Sequence, residues 1–201
     1  MTLEIERKYL NVDFNALRPV LESRGGRCLG AHFERNALFD TCDAGLFASK
    51  RLLRLREWVG ERRYLLTLKL PRDSREDFKV CDEREVEVAD GESVSAILEG
   101  LGYAIVARYE KIREIWRLDG VDICLDVLPF MTAVELEGEP VGISRVADLL
   151  GLSKATASVK NYHDLHQQWR RQHNMPPEPS FVFSEEQRCF WRKELSLGRE
   201  V

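Results

Sequence analysis

Polar and apolar residues alternate along much of this chain, with the period of two that belongs to strands. In Glu4-Ile5-Glu6-Arg7-Lys8, the side chains of Glu4, Glu6 and Lys8 fall on one face. Ile5, Arg7 and Tyr9 fall on the other. Residues 50–56 repeat the pattern, with Leu53 and Leu55 opposite Arg54 and Arg56. So do residues 63–69, where Arg63, Thr67 and Lys69 share a face, and residues 83–88, where Glu85 and Glu87 do. Residues 105–118 place Lys111 and Arg113 together; residues 121–127 set Asp122, Cys124 and Asp126 against Ile123, Leu125 and Val127. A strand over 134–137 carries Glu135 and Glu137, and another is expected near 31–40. Turns are predicted at Asp43-Ala44-Gly45, Gly60-Glu61 and Asp119-Gly120, and a charged loop over 71–77.

Helical spacing marks the connections. Asp13 is placed to cap a helix running to about Arg24, with Phe14, Leu17 and Leu21 on one face. Pro19 is expected to kink it or delay its start, and Gly25-Gly26 to end it. Further helices are predicted over 93–101, 143–150 and 161–172, the second ended by Gly151. Met175-Pro176-Pro177-Glu178-Pro179 breaks the last of these, and Ser184 with Gln187 forms a capping box for a final helix to about Leu195. Cys189, Phe190 and Trp191 there predict packing onto the body or onto a second subunit. The order Glu-x-Glu strand, helix, glycine occurs three times, beginning at Glu4, Glu85 and Glu135.

A sheet with one wet face produces such alternation without any functional reason. The sorting of charge by sign changes that picture. Acids occupy 4/6, 85/87, 122/126 and 135/137, and bases 54/56, 63/69 and 111/113, whereas solvated faces mix signs. Helices also need an apolar surface to pack on, which the Leu, Ile and Val faces supply. The predicted fold is α+β: a closed antiparallel eight-stranded β-barrel built inside out, with a polar lumen and helices packed outside. Like charges buried together are very costly unless paired or ligated. A lumen with both carboxylates and Arg/Lys therefore implies a ligand that needs both, such as a polyphosphate carrying a divalent cation. Oxygen ligands suit a hard ion, Mg²⁺ or Mn²⁺.

At 201 residues, 44% hydrophobic and 32% charged, the chain fits one globular domain. A net charge of −4 gives no basic excess for nucleic acid. No apolar run reaches membrane-spanning length and no secretory signal is evident, so neither a nucleic-acid nor a membrane partner is expected. Cys28, Cys42, Cys81, Cys124 and Cys189 are odd in number and widely spaced, which fits reduced thiols and a cytoplasmic location. His32, His163, His166 and His173 read as surface or helix-face residues; only His163 and His166, at i and i+3, could meet on one face as a zinc pair.

Glu4-Ile5-Glu6-Arg7-Lys8 resembles the E-x-E-x-K signature of the CYTH superfamily, the triphosphate tunnel metalloenzymes. Arg54-Leu55-Arg56, Leu66-Thr67-Leu68-Lys69, Arg84-Glu85-Val86-Glu87, Lys111-Ile112-Arg113, Asp126 and Glu135-Leu136-Glu137 fall in that family's order and approximate spacing. The resemblance covers about 1–165 as a tunnel domain and leaves 166–201 as a C-terminal helical extension. It implies a tunnel binding a triphosphate group with Mg²⁺ or Mn²⁺. The implied metal ligands are Glu4, Glu6, Glu135 and Glu137, with Glu85, Glu87 and Asp126 as candidates for a second ion or its waters. Lys8, Arg54, Arg56, Lys69, Lys111 and Arg113 are implied to clamp phosphate, and Lys160 and Tyr162 resemble an element that closes the tunnel. Glu4, Glu6, Lys8, Lys69 and Lys111 are the implied catalytic set. Asp122, Cys124 and Arg63 stay open between structural and functional roles.

Three activities follow: hydrolysis of inorganic triphosphate or a nucleoside or organic triphosphate, cyclisation of ATP as in class IV adenylyl cyclases, or binding of polyphosphate or nucleotide without turnover. The complete acidic set argues against the last. The segment 128–135 resembles the cyclase-like branch but lacks the glycine expected before the last acidic strand, and Glu6-Arg7-Lys8 is common among the hydrolases.

Overall fold

The computed structural model describes residues 2–72 and 77–197. Residues 73–76 of the predicted charged loop lie outside the described residues. Eight strands close into an antiparallel barrel: β1 (Thr2–Leu10), β2 (Arg27–Thr41), β3 (Leu52–Trp58), β4 (Arg63–Pro71), β5 (Lys79–Val88), β6 (Tyr103–Leu118), β7 (Val121–Leu128) and β8 (Met131–Glu137). Their order is β5-β4-β3-β2-β6-β7-β8-β1, and pairing of β1 with β5 closes the ring. Closure removes the exposed edges of an open sheet. A short β9 (Ala157–Ser158) also pairs with β1 beside Lys8 and Tyr9.

Six helices lie outside among the described residues: α1 (Phe14–Ser23), α2 (Gly45–Ala48), α3 (Gly91–Gly100), α4 (Pro140–Leu149), α5 (Tyr162–Gln172) and α6 (Glu185–Glu194). Asp13 caps α1 by accepting from the Asn15 backbone N–H at 2.9 Å. Pro19 lies inside α1, so it does not delay the start as expected; Asp13 has already fixed the first turn. Residues 43–45 form a turn that runs on into α2, a helix the sequence reading missed. Ser184 and Gln187 form the predicted capping box of α6. The turn between β6 and β7 has positive φ at Asp119 and Gly120, 51° and 78°, the pairing that suits a tight hairpin.

The core sits between barrel and helices, not inside the barrel. The outward residues Tyr9, Trp116, Ile123, Leu125, Val134 and Leu136 are buried under Phe14, Leu17 and Leu21 of α1 and Ile143, Val146 and Ala147 of α4. Ala37, Phe39 and Leu55 are covered by Leu98 of α3. Each large side chain fully buried in this way contributes roughly 1.5–3 kcal/mol. Gly91 shows how closely α3 seats: a Cβ there would stand 2.5 Å from the Tyr64 ring of β4. With the apolar faces committed outward, the alternating polar faces have nowhere to point but the lumen. A cavity of about 1100 Å³ lies outside the wall beside Leu3, Ile5, Phe78, Val80 and Val141. A smaller one of about 620 Å³ opens beside Thr2, Glu83 and Glu85, the last two on the lumen face of β5. No described helix is long and apolar enough to cross a membrane.

Candidate active site

Register decides which charges meet. On the β1–β8 pair Glu6 stands opposite Glu137 and Lys8 opposite Glu135; on the β1–β5 pair Glu4 stands opposite Cys81. Like charges directly opposed destabilise a sheet. One carboxylate oxygen from each of Glu4, Glu6, Glu135 and Glu137 lies within 4.8 Å of the others. Burial, joined by the neighbouring Glu135 carboxylate, pushes the Glu137 carboxyl up to about 8, and Arg113 offsets only part of that. Burial would raise Glu4 too, but there the Lys69 ammonium and the Cys81 thiol win and hold it at about 2. Burial acts likewise on Glu135, which Lys8 and Arg113 nevertheless keep well below the usual carboxylate range. Four oxygen donors with one carboxyl left unneutralised suit a hard divalent cation. Four oxygens within 4.8 Å of one another would all be in reach of one such ion, which holds oxygen at about 2.1 Å.

The remaining lumen wall is cationic. Arg113 grips Asp126 with two hydrogen bonds, 2.7 and 2.6 Å, and reaches Glu135 at 3.2 Å and Glu137 at 3.6 Å. Lys111 pairs with Asp126 at 3.1 Å and Glu34 at 3.5 Å. Arg56 donates to Asn36 at 3.1 Å and pairs with Glu34 at 3.2 Å. Arg54 donates to the Tyr109 hydroxyl at 3.0 Å and stands 3.6 Å from Glu85. Lys69 bridges Glu4 and Glu83, and Lys8 bridges Glu6 and Glu135. The ammonium groups of Lys8 and Lys111 lie 5.2 and 5.6 Å from the centroid of the Tyr162 ring. Its hydroxyl lies 2.6 Å from Asp126 and 3.0 Å from Glu135.

The family model for the CYTH domain matches residues 2–162. The chain belongs to the CYTH family. A Methanocaldococcus jannaschii protein provisionally named an adenylate cyclase is 27% identical over 124 residues, which is 62% of this chain and 69% of that protein. A solved Vibrio parahaemolyticus structure, also provisionally named an adenylate cyclase, superposes with a TM-score of 0.70 at 22% identity, covering 82% of this chain and 98% of its own. A Hippeastrum protein, provisionally an adenylyl cyclase and described as having a dominant triphosphatase activity, superposes at 0.65 with 17% identity, covering 88% and 98%. These likenesses establish the tunnel fold.

In this CYTH chain, the tunnel brings together Glu4, Glu6, Glu135 and Glu137, and around them Lys8, Arg54, Arg56, Lys69, Lys111, Arg113 and Tyr162. Four residues named from the sequence stand outside the group of four carboxylates, two of them, Asp126 and Glu85, still facing the lumen. Asp126 is fully buried among Arg113, Lys111 and Tyr162 rather than in the carboxylate group. Glu85 accepts from Thr67 at 2.7 Å. Glu87 pairs with Arg63 at 3.0 Å, both side chains about half exposed, because β5 runs on toward solvent there. Lys160 is exposed and donates to Gln168 at 2.9 Å, directed along α5 and not into the lumen. Of the three residues left open, Asp122 pairs with Arg117 outside the group, Arg63 stacks on Trp58, and the buried Cys124 stands opposite Glu135. His166 is buried on the inner face of α5, and both it and His163 pack against Phe181.

The sequence reading missed Glu34, Asn36, Lys79, Cys81, Glu83 and Tyr109. Glu34 is fully buried, held ionised against its burial chiefly by Arg56 and Lys111. Lys79 donates to Glu6 at 2.8 Å, and the Cys81 thiol, pushed by burial to about 12, donates to Glu4 at 2.9 Å. The available signal was parity: 34 and 36 alternate with Phe33 and Ala37, and 109 shares a face with 111 and 113.

Proposed function

We propose that this CYTH chain is a divalent-metal-dependent phosphohydrolase acting on a triphosphate group inside the tunnel. The observation that carries the reading is the division of one buried lumen. Oxygen donors of four carboxylates converge on one side, and five strands supply Arg and Lys to the rest of the wall. A ligand that satisfies both must be strongly anionic and bound to a cation, as a triphosphate with Mg²⁺ or Mn²⁺ is.

Glu4, Glu6, Glu135 and Glu137 would hold the cation, which supplies Lewis-acid polarisation of a phosphoryl oxygen. Arg54, Arg56 and Arg113 bind phosphate oxygens with planar forks; Lys8, Lys69 and Lys111 act as point charges. Glu34 and Asp126 are the built-in counter-anions that keep those cations in place before substrate arrives. Tyr162 offers its ring to the Lys8 and Lys111 ammonium groups while its hydroxyl bonds Asp126 and Glu135. Burial of these groups excludes bulk water, which strengthens each interaction.

Cyclisation of ATP is the second reading, supported by the name of the archaeal relative. Product analysis separates them. Purified protein is given inorganic triphosphate or ATP with Mg²⁺ or Mn²⁺, and with chelator. Orthophosphate released only with the cation is the expected outcome. Cyclic AMP with pyrophosphate would transfer the chain to the cyclase reading, and tight binding without any product would make it a binding module.

A further inference from the structure

β6 outruns one of its neighbours. β7 pairs with it only from Ile112 to Leu118, so the backbone before Ile112 lacks a strand partner on that edge. The C-terminal segment beyond α5 fills the gap. Phe181 N–H donates to the Arg108 carbonyl and Glu110 N–H to the Phe181 carbonyl, each at 3.0 Å. Arg108 N–H donates to Ser180 Oγ at 3.1 Å. Phe183 N–H and Arg188 Nε both donate to Glu110 Oε2, at 2.9 and 3.0 Å. The segment therefore lies along β6 with Phe181 beside Tyr109.

Tyr109 links this segment to the lumen. Its ring lies 5.2 Å from the Phe181 ring and edge-on to His163 at 5.3 Å. Phe181 is in turn buried and fixed by Phe130 at 5.3 Å and His166 at 4.9 Å. At its other end the Tyr109 hydroxyl accepts from Arg54 Nη1 at 3.0 Å. That contact is the closest Arg54 makes: Thr67 stands at 3.4 Å, Glu85 at 3.6 Å and Glu83 at 3.9 Å. Arg54 Nε is buried and has no hydrogen-bond partner among the described residues. The guanidinium is thus held by Tyr109 at Nη1 and more loosely by Thr67 at Nη2, with Nε left over as a donor. A long side chain kept in one rotamer loses considerable entropy, and a fixed neighbour reduces that cost at the moment of binding.

We propose that Tyr109 is a positioning residue for the Arg54 clamp, and that Ser180 to Phe183 set its position from outside the barrel. The segment lies beyond the stretch matched by the CYTH model, so a part of the chain outside the domain is coupled to phosphate binding within it. The proposal rests on Arg54 binding phosphate, as in the functional reading above.

The test measures KM, kcat and calorimetric affinity for inorganic triphosphate with Mg²⁺ in Arg54→Ala, Tyr109→Phe, Phe181→Ala, Phe181→Leu and the Tyr109→Phe/Phe181→Ala double variant. Temperatures are chosen at which circular dichroism shows each variant folded. Tyr109→Phe should raise KM about tenfold, the scale of a hydrogen bond to a charged group, with kcat within about twofold. Phe181→Ala should do the same, Phe181→Leu should recover most of the loss, and the double variant should be no worse than either single change. Unchanged affinity in Arg54→Ala would remove the clamp reading itself. A weakened Arg54→Ala beside unchanged Tyr109→Phe or Phe181→Ala would overturn the coupling alone. Additive effects in the double variant would also overturn it, reducing Phe181 to a packing residue.

Discussion

The two sides of the tunnel solve the problem of buried charge differently. On the cationic side, every Arg and Lys has an acid close by: Arg56 and Lys111 share Glu34, and Arg113 and Lys111 share Asp126. On the β1–β8 side, four carboxylates converge, and the lysines that reach them leave Glu137 with its proton up to about pH 8. One side pairs its charges without a ligand, although Arg54 Nε has no hydrogen-bond partner among the described residues, and must exchange partners to bind one. The other is incomplete and gains by binding a cation. Preorganisation and affinity are thus assigned to different strands of a single sheet.

The largest expected effect comes from breaking the paired side. Arg113→Ala leaves Asp126 buried without its main partner and leaves Glu135 to Lys8, which should cost about 3–5 kcal/mol of stability. Urea denaturation measures it, and a loss under about 1 kcal/mol would show that the side is not self-sufficient.

Glu137→Gln tests the incomplete side. Glutamine mimics the protonated carboxyl, so the fold should survive while apparent affinity for Mg²⁺ or Mn²⁺ falls at least about 100-fold, the upper range found even for residues behind a metal's ligands. Stability should also report the charge. Glu137 titrates at about 8 in the fold against an ordinary 4.5, so metal-free stability is fully present below about 4.5 and is lost as pH rises through about 8. Glu4 works the opposite way: its contribution is present above about 4.5 and is lost as pH falls through about 2. Melting curves of the metal-free protein from pH 5 to pH 8.5 should therefore decline in the wild type and flatten in Glu137→Gln. Parallel curves would refute the assignment.

Arg56→Lys sharpens the comparison from the cationic side. Losing the planar fork should weaken triphosphate binding by roughly 1.5–3 kcal/mol while leaving metal affinity alone. An equal loss of both, read by calorimetry, would mean that the two sides are not separate.

Glu87→Gln should do least. The pair with Arg63 is about half exposed, worth at most about 1 kcal/mol after screening, and metal activation should be unchanged. A shifted metal requirement would return Glu87 to the ligand candidates that the family resemblance implied.

The sequence by itself determined the inside-out barrel, because a strand's two faces are written in a period of two that needs no knowledge of its neighbours. Sign-sorted faces also marked 4/6 and 135/137, but they marked 85/87 and 122/126 equally; only the family resemblance singled out Glu4, Glu6, Glu135 and Glu137, whose carboxylates the fold brings together. Tertiary structure alone decided who meets whom. Glu85 and Glu87 are equivalent in parity, yet one is bonded within the wall and the other pairs near solvent, because strand length past the lumen is not encoded locally. Glu34 sits between Phe33 and Arg35 in a strand whose charges are mixed along the chain; only pairing with β3 and β6 places it against Arg56 and Lys111. Asp126 looked like the other lumen acids until register set it opposite Arg113. The place of Phe181 beside Tyr109 joins residues more than seventy positions apart, and such a contact depends on where β7 stops, which no local pattern records.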